Sequence, residues 1–147
     1  MATTNLYLNF NGNCEEAFNF YKSVFGGEFT YIGRFGEMPE SDEYKVLDAD
    51  KSQIMHVSLP IGNSILMGSD CGSERSSFFI AGNNFSASIT AESKAEADCL
   101  FAGLAEGGQI TMPLANTFWG DYFGMLTDRF GVNWMMSFND PSQPKQL

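Results

Sequence analysis

One histidine occurs in this chain of 147 residues, and it limits the chemistry that the side chains can perform. An imidazole exchanges a proton near neutral pH, so His56 is the candidate general base or hydrogen-bond donor to a ligand. A second interpretation stays open, in which His56 is a strand residue satisfied by a neighbouring hydroxyl or carbonyl. A zinc site with two or more histidines is excluded, and a Ser-His-Asp triad has only this histidine to build on.

The three cysteines, Cys14, Cys71 and Cys99, are odd in number and widely spaced. This pattern favours reduced thiols in the cytoplasm over a disulfide framework or a structural metal site. Cys14 falls in the first turn of a predicted helix, where backbone amides stabilise a thiolate. The alternative is that Cys14 is a small buried apolar residue.

Aromatic residues and glycines are concentrated at residues 116–124, with the sequence NTFWGDYFG. Such a segment belongs either to the core or to the wall of a small-molecule pocket, which is mostly apolar with a few placed polar groups. Trp119, Asp121 and Phe123 have the same parity along a predicted strand. We therefore expect the three side chains to share one face.

The elements that must position these side chains are repeated in the two halves of the chain. Asn13 and Glu16 resemble a capping box, and Ser93 and Glu96 form one with the usual serine. Apolar residues with a period near 3.6 follow each box, and Gly-Gly pairs at 26–27 and 107–108 end both helices. The matching sequences GGEFT at 26–30 and GGQIT at 107–111 then begin strands.

Alternating apolar and polar residues predict one strand before each helix and three strands after it. Each half thus has the order strand–helix–strand–strand–strand. The strands before the helices lie at about 6–10 and 85–90, and the others at 29–35, 54–61, 64–69, 109–113, 117–127 and 132–138. Residues 37–52 form an acidic loop, which is either solvated or a lid over a site. Residues 139–147 are predicted to be a flexible tail.

The chain resembles the vicinal oxygen chelate superfamily of glyoxalases, bleomycin resistance proteins and dioxygenases, and within it the PhnB-like branch. The matching sequences are YLNF at 7–10, GNC at 12–14, FGEMP at 35–39, ILMGSD at 65–70, TFW at 117–119, FG at 123–124 and TDRFGVNWM at 127–135. Some members of the branch carry a demethylubiquinone methyltransferase label. No Gly-rich strand-to-helix turn suited to a nucleotide-like methyl donor occurs here, so we expect no such activity.

The resemblance implies an α+β fold. It is a single glyoxalase-like domain over residues 1–147, in which two tandem βαβββ modules, at about 5–70 and 84–138, form cupped mixed sheets with helices on the convex side. A cavity is expected on the concave side. Strand alternation then predicts that Met55, Val57, Leu59 and Ile61 pack in the core, with Ile54 facing the cavity. The side chains expected to bind a ligand in the cavity are Tyr7, Asn9, His56, Ser58, Trp119, Asp121, Phe123 and Met135.

Members of the superfamily usually bind a divalent metal with His and Glu from the first and last strand of each module. The corresponding positions here fall at Tyr7 or Leu6, at Leu66 or Met67, at Ser86 or Phe85, and at Met135. None is a histidine or a carboxylate, so we expect no metal and no cofactor. An altered metal site that uses His56 with Asp121 or Glu37 is the alternative.

The composition restricts the partners as well. The net charge of −10 argues against nucleic acid and against anionic membranes, and no apolar stretch approaches the length of a membrane span. We expect a cytoplasmic homodimer that binds an unidentified small molecule. The alternative is an enzyme that acts on a small oxygenated substrate with His56 as its base.

Overall fold

Each half of the chain forms one four-stranded mixed sheet and one α-helix. The structure is a computed structural model and describes residues 1–41 and 45–143. Its two units are Met1–Ala81 and Gly82–Leu147. The first contains β1 (Tyr7–Phe10), α1 (Cys14–Phe25), β2 (Tyr31–Arg34), β3 (Ile54–Ile61) and β4 (Ser64–Asp70). The second contains β5 (Ala87–Thr90), α2 (Lys94–Ala105), β6 (Gln109–Asn116), β7 (Asp121–Thr127) and β8 (Asn133–Asn139).

The two sheets have the same topology. The strand order is β1-β4-β3-β2 in the first and β5-β8-β7-β6 in the second. The first strand of each unit pairs in parallel with the last, and the other pairs are antiparallel. The predicted α+β class with two βαβββ modules is therefore confirmed. Among the described helices, none is long and apolar enough to cross a membrane.

Helix α1 packs on its sheet through Phe18, which contacts the ring of Phe10 edge-on. A Cβ atom added at Gly68 would lie 2.6 Å from the Phe18 ring and 2.8 Å from the Leu8 carbonyl oxygen. Glycine is thus required at position 68 because the helix side chain lies directly on the strand. The second unit uses the same device, since a Cβ at Gly124 would lie 2.9 Å from the ring of Phe101 in α2.

The N-termini of the two helices are capped differently. Ser93 accepts a hydrogen bond from the Glu96 amide at 3.0 Å, as the sequence predicts. The Asn13 side chain caps nothing, so the predicted capping box at α1 is wrong. The amides of Gly12 and Cys14 instead donate to Oδ1 of Asp70, at 2.9 and 3.0 Å. The carboxylate that caps α1 comes from the far end of β4, where no local pattern could reveal it.

The face assignment in β3 is wrong at its first two residues. Ile54, Val57 and Leu59 are buried, whereas Met55 is half-buried. Further along the strand, Ser58 is buried as well, and Ile61, which was expected in the core, is half-buried. The register shifts at the first two residues, because Arg34 pairs with Ile54 and Gly33 pairs with His56. The resulting β-bulge inserts one residue and breaks the alternation, so Ile54 is buried although its parity matches that of His56.

Two other segments differ from the sequence-based expectation. The strand expected at 117–127 begins only at Asp121, because Thr117–Gly120 form a turn in which the Asp121 amide donates to the Thr117 hydroxyl. The predicted loop at 37–52 contains a short 3₁₀ turn at Asp48–Asp50, and its residues 42–44 lie outside the described residues. The same holds for residues 144–147 of the predicted tail.

Candidate functional site

The face of the first sheet that points away from α1 carries the histidine. We call it the tyrosine face and define it by Tyr7, Tyr31, His56, Ser58 and Met67. Cross-strand pairing aligns four of these residues in one row over the sheet, since Tyr7 pairs with Met67, Met67 with Ser58 and Ser58 with Tyr31. The row brings together side chains from β1, β2, β3 and β4.

His56 lies between two hydroxyl groups on this face. Its Nδ1 lies 3.2 Å from Oη of Tyr7, and its Nε2 lies 3.0 Å from Oγ of Ser58. A neutral imidazole has one N–H, so one hydroxyl donates to the ring and the other accepts from it. When Ser58 donates, the hydroxyl hydrogen of Tyr7 is left for another acceptor. This arrangement can pass a proton or orient a polar ligand.

Tyr31 completes the surroundings of His56, and the sequence analysis did not single it out. Its ring centroid lies 5.8 Å from the imidazole on the neighbouring strand β2, and that of Tyr7, on β1 beyond β4, lies 5.6 Å from the imidazole. A Cβ at Gly33 would lie 2.5 Å from Oη of Tyr31, so the tyrosine ring lies across this glycine. A glycine inside a strand is the signal that could have revealed this close approach.

In the second unit, Trp119, Asp121 and Phe123 form a contacting cluster. Trp119 Nε1 donates to Oδ2 of Asp121 at 2.9 Å, and the Trp119 and Phe123 ring centroids lie 5.9 Å apart. The Asn139 side-chain amide donates to the other oxygen of Asp121. Asp121 and Phe123 have the same parity along β7, as predicted, whereas Trp119 lies in the turn before β7 and meets them through side-chain contacts.

Met135, the other expected ligand-binding residue of the second unit, lies in the centre of its sheet. It pairs with Ser88 on β5 and with Met125 on β7, and Met125 in turn pairs with Met112 on β6. Met135 is half-buried, in contrast to the buried Met136 beside it. Three methionines therefore form a flexible apolar row on the face that points away from α2.

The positions expected to hold a metal in this fold carry unsuitable side chains. In the first unit Tyr7 pairs with Met67. In the second, Met135 pairs with Ser88, and Phe85 and Ser86 precede β5. Hydroxyl and thioether groups are poor substitutes for imidazole and carboxylate toward divalent ions. In residues 1–41 and 45–143, no three His, Cys, Asp or Glu side chains are grouped as metal ligands. The residues present do not fit the family's usual metal.

The histidine and its expected carboxylate partner in the first unit are also engaged elsewhere. Both nitrogens of His56 face hydroxyls, and Oε2 of Glu37 accepts a hydrogen bond from the Arg34 amide at 3.3 Å. The geometry within this unit thus gives no support to a metal held by His56 and Glu37.

A pocket of about 670 Å³ opens in the first unit, beyond the ends of β1 and β4. Its walls come from these strand ends, from residues 45–47 and from residues 71–75. Asn9 is the one expected ligand-binding residue that lines it. Four further charged residues of the lining, Lys45, Asp50, Glu74 and Arg75, were not predicted as site residues, because they lie in loops without periodicity.

The cysteines do not provide a nucleophile to this pocket. Burial raises the pKa of the Cys14 thiol far above its usual range, and the carboxylates of Asp70 and Glu15 raise it further. Cys71 lines the pocket, and its pKa is likewise raised, first by burial and then by Asp70 and Asp50. The interpretation of Cys14 as a thiolate is therefore wrong: the helix amides that would stabilise it donate to Asp70.

Solved structures with this fold define the class of protein. A glyoxalase/bleomycin resistance/dioxygenase family enzyme from Burkholderia phytofirmans PsJN matches with a TM-score of 0.59 at 15% identity, over 92% of this chain and 99% of that one. Protein PA1353 from Pseudomonas aeruginosa matches with a TM-score of 0.80 at 42% identity, over 95% and 99% of the two chains. The fold is thus that of the glyoxalase/bleomycin resistance/dioxygenase superfamily.

Within that superfamily the chain belongs to the PhnB-like family, whose sequence profile is described as 3-demethylubiquinone-9 3-methyltransferase and matches residues 2–137. The PhnB protein from Bacillus cereus is similar, with a TM-score of 0.66 and 28% identity over 93% of this chain and 99% of that one. Protein YjdN from Escherichia coli strain K12 is 33% identical over 138 residues, which cover 89% of this chain and 91% of YjdN.

Proposed function

We propose that this protein binds a small organic molecule and does so without the His and Glu metal site usual in its superfamily. In the first unit the side chains that contact a ligand are Tyr7, Asn9, His56 and Ser58. In the second unit the side chains that contact a ligand are Trp119, Asp121, Phe123 and Met135. The observation that carries the proposal is the histidine held between two hydroxyls on a sheet face where Tyr7 and Tyr31 remain 40% and 49% exposed.

Exposed aromatic rings beside an oriented imidazole suit a ligand with a planar or apolar body and a polar oxygen. Tyrosine and tryptophan offer a large apolar surface with one hydrogen-bonding atom each. In the second unit, Trp119 and Asp121 present the same combination of ring and polar group. The bonds from Trp119 and Asn139 fix the Asp121 carboxylate before a ligand arrives, which reduces the ordering cost of binding.

The test combines a ligand screen with single substitutions. A thermal-shift screen of small oxygenated aromatic compounds supplies the probe, and its affinity is then measured by calorimetry. Tyr7→Phe removes only a hydroxyl, and we expect about tenfold weaker binding from the loss of one hydrogen bond. His56→Ala is expected to abolish binding at the first unit, and Trp119→Ala is expected to abolish binding at the second.

Tyr122→Phe is the matched control, since its hydroxyl bonds to Asp98 of α2 and not to a proposed ligand contact. We expect unchanged affinity in this variant. Equal affinities in the wild-type protein, His56→Ala and Trp119→Ala would show that these residues do not contact the ligand, and the proposal would then be wrong.

An enzyme that uses His56 as its base is the second candidate, favoured by the same Tyr7–His56–Ser58 chain. A base must lie within hydrogen-bond reach of the proton that it removes, and the exposed hydroxyl of Tyr7 gives a path to the imidazole. Turnover of the bound compound that His56→Gln abolishes, with binding retained, would select the enzyme. Elemental analysis gives an independent check, because a stoichiometric divalent metal would contradict the metal-free proposal.

Methyl transfer, which the description of the family profile names, is not the function that we propose. A nucleotide-like donor typically binds at the amides of a strand-to-helix turn. At the β1–α1 turn the amides of Gly12 and Cys14 already donate to Asp70. The structure of this turn therefore favours ligand binding without such a donor.

We also propose that the protein works as a homodimer in the cytoplasm. Several large apolar side chains are exposed, including Phe78 and Ile80, which are 80% and 86% exposed. Exposed apolar surface of this kind is typical of interfaces between subunits. The three cysteines are unpaired, as expected in a reducing compartment.

A further inference from the structure

The pocket in the first unit carries charges of both signs that do not pair with one another. Lys45, Glu74 and Arg75 all line it. Within residues 1–41 and 45–143, none of the three takes part in an ion pair, although Glu74 and Arg75 are adjacent in the chain. The fold therefore leaves one carboxylate and two cations for a ligand.

The two buried carboxylates of this pocket are occupied by the fold itself. Asp50 accepts from the Ser73 amide at 3.0 Å and from the Ser73 hydroxyl at 2.5 Å, which attaches residues 71–75 to the turn at Asp48–Asp50. Asp70 accepts from the amides of Gly12, Cys14 and Ile54. Since Ser73 is fixed in this way, the backbone that carries Glu74 and Arg75 is held in place.

The rest of the lining includes an apolar wall. Phe35, Leu47 and Met55 contribute to it, and Met55 reaches the pocket because of the β-bulge described above. The volume of about 670 Å³ lies within the range of small-molecule sites. A ligand that suits both the charges and the wall has opposite charges at one end and an apolar group at the other.

We infer that this pocket binds a small zwitterion with an apolar side group, the chemistry of an apolar α-amino acid. Its carboxylate meets Arg75 and Lys45, its ammonium meets Glu74, and its side group packs on Phe35 and Met55. A zwitterion has no net charge, so the protein's net charge of −10 does not oppose its approach as it would oppose that of an anion. This site shares Asn9 with the ligand contacts proposed above but not Tyr7, His56 or Ser58, and it does not depend on the function proposed for the tyrosine face.

Three probes of similar shape test the inference: phenylalanine with both charges, hydrocinnamate with the carboxylate alone and phenethylamine with the ammonium alone. Binding is followed through the NMR shifts of the amides of residues 71–75. We expect phenylalanine to bind best. Arg75→Gln should weaken the binding of phenylalanine and hydrocinnamate roughly three- to tenfold and leave the binding of phenethylamine unchanged. Glu74→Gln should weaken the binding of phenylalanine and phenethylamine and leave that of hydrocinnamate unchanged.

Lys22→Gln and Glu28→Gln are the matched controls. These two residues form a surface ion pair at 2.9 Å and lie outside the pocket. Lys22→Gln removes one positive charge, as Arg75→Gln does, and Glu28→Gln removes one negative charge, as Glu74→Gln does. We expect both to bind all three probes as the wild-type protein does. The exposed positions of Glu74 and Arg75 make misfolding a minor concern, and thermal melting of each variant checks it.

Two results would overturn the inference. If Arg75→Gln and Lys22→Gln shift the three affinities equally, only net charge is acting. If no probe moves the amides of residues 71–75, the pocket does not bind this chemistry. Either result leaves the proposed ligand of the tyrosine face untouched, because His56 and Tyr7 do not line the pocket.

Discussion

At the scale of single residues, the position of His56 depends on what faces it across the strands. Gly33 pairs with His56 and has no side chain, so the Tyr31 ring of the same strand lies across this glycine and approaches the imidazole. The Tyr7 ring approaches from β1, on the far side of β4. A side chain at position 33 would displace the Tyr31 ring. The sequence shows that His56 is the one histidine, but the side chains that contact its ring depend on how the strands pair.

Cys14 makes a pH-dependent contribution to stability. Its pKa is raised in the folded protein, first by burial and then by Asp70 and Glu15, so the native state keeps the proton. The unfolded chain loses this proton above about pH 8.5. Because the native state then binds more protons than the unfolded state, the free energy of unfolding falls as the pH rises, by about 1.4 kcal/mol per pH unit.

Urea unfolding of the wild-type protein and Cys14→Ala, between about pH 7 and pH 10, measures this contribution. The wild-type stability should decline relative to that of the variant once the pH passes the ordinary thiol pKa. Cys99→Ala, at an exposed cysteine, is the control and should run parallel to the wild type. If the free energy of unfolding of Cys14→Ala also changed with pH in parallel with that of the wild-type protein, the raised pKa of Cys14 would be contradicted.

At the scale of elements, Asp70 joins three segments that are far apart in the chain. Its Oδ1 holds the turn before α1, and its Oδ2 accepts from the Ile54 amide at 2.8 Å at the start of β3. The buried Asp128 of the second unit acts locally, since it holds the turn between β7 and β8 by accepting from the Trp134 indole and from the amides of Phe130 and Val132. Asp70 thus connects distant segments, whereas Asp128 stabilises a single turn.

Asp70→Asn tests this task. The amide nitrogen of asparagine cannot accept, so at least one buried backbone N–H loses its partner, and we expect a loss of roughly 2 kcal/mol in the free energy of unfolding. Urea unfolding measures the loss, and faster hydrogen exchange at Gly12, Cys14 or Ile54 locates it. Asp140→Asn, at a half-buried position whose carboxylate accepts hydrogen bonds from the nearby Ser142, is the control, with a change within about 0.5 kcal/mol. Similar losses in both variants would refute a special task for Asp70.

At the scale of the whole molecule, the net charge opposes the association of two copies of the chain, whereas the exposed apolar surface favours it. The net charge of −10 keeps copies of the chain apart unless a specific contact holds them together. Phe78 and Ile80, at the end of the first unit, are the most exposed large apolar side chains after Met1. We expect them to form part of the contact in the proposed homodimer.

Light scattering after size-exclusion chromatography should give twice the 16.2 kDa of the chain. The double variant Phe78→Ser, Ile80→Ser should elute as a monomer with unchanged circular dichroism, because it removes apolar contact area and no internal hydrogen bond. Lys22→Gln serves as a surface control and should remain a dimer. A monomeric wild-type protein would contradict the dimer, and a dimeric double variant would show that these two residues are not in the interface.

The order of elements, the repeat of two βαβββ modules and the family could all be predicted from the amino-acid sequence. These features depend on the spacing of residues that are close in the chain: a capping serine three residues before its partner, apolar residues with a helical period near 3.6, and apolar residues at every second position of a strand. The sequence also indicated the one imidazole and the unsuitable side chains at the usual metal positions.

The tertiary structure alone decided which distant groups meet. Asp70 is 58 residues from Gly12 and 56 from Cys14, and Tyr7 is 49 residues from His56, so no local pattern relates them. The bulge at Met55 changed a face that alternation had misassigned and added an apolar side chain to the pocket. Strand pairing and bulges set these contacts, because they depend on the register between segments and not on the spacing within them.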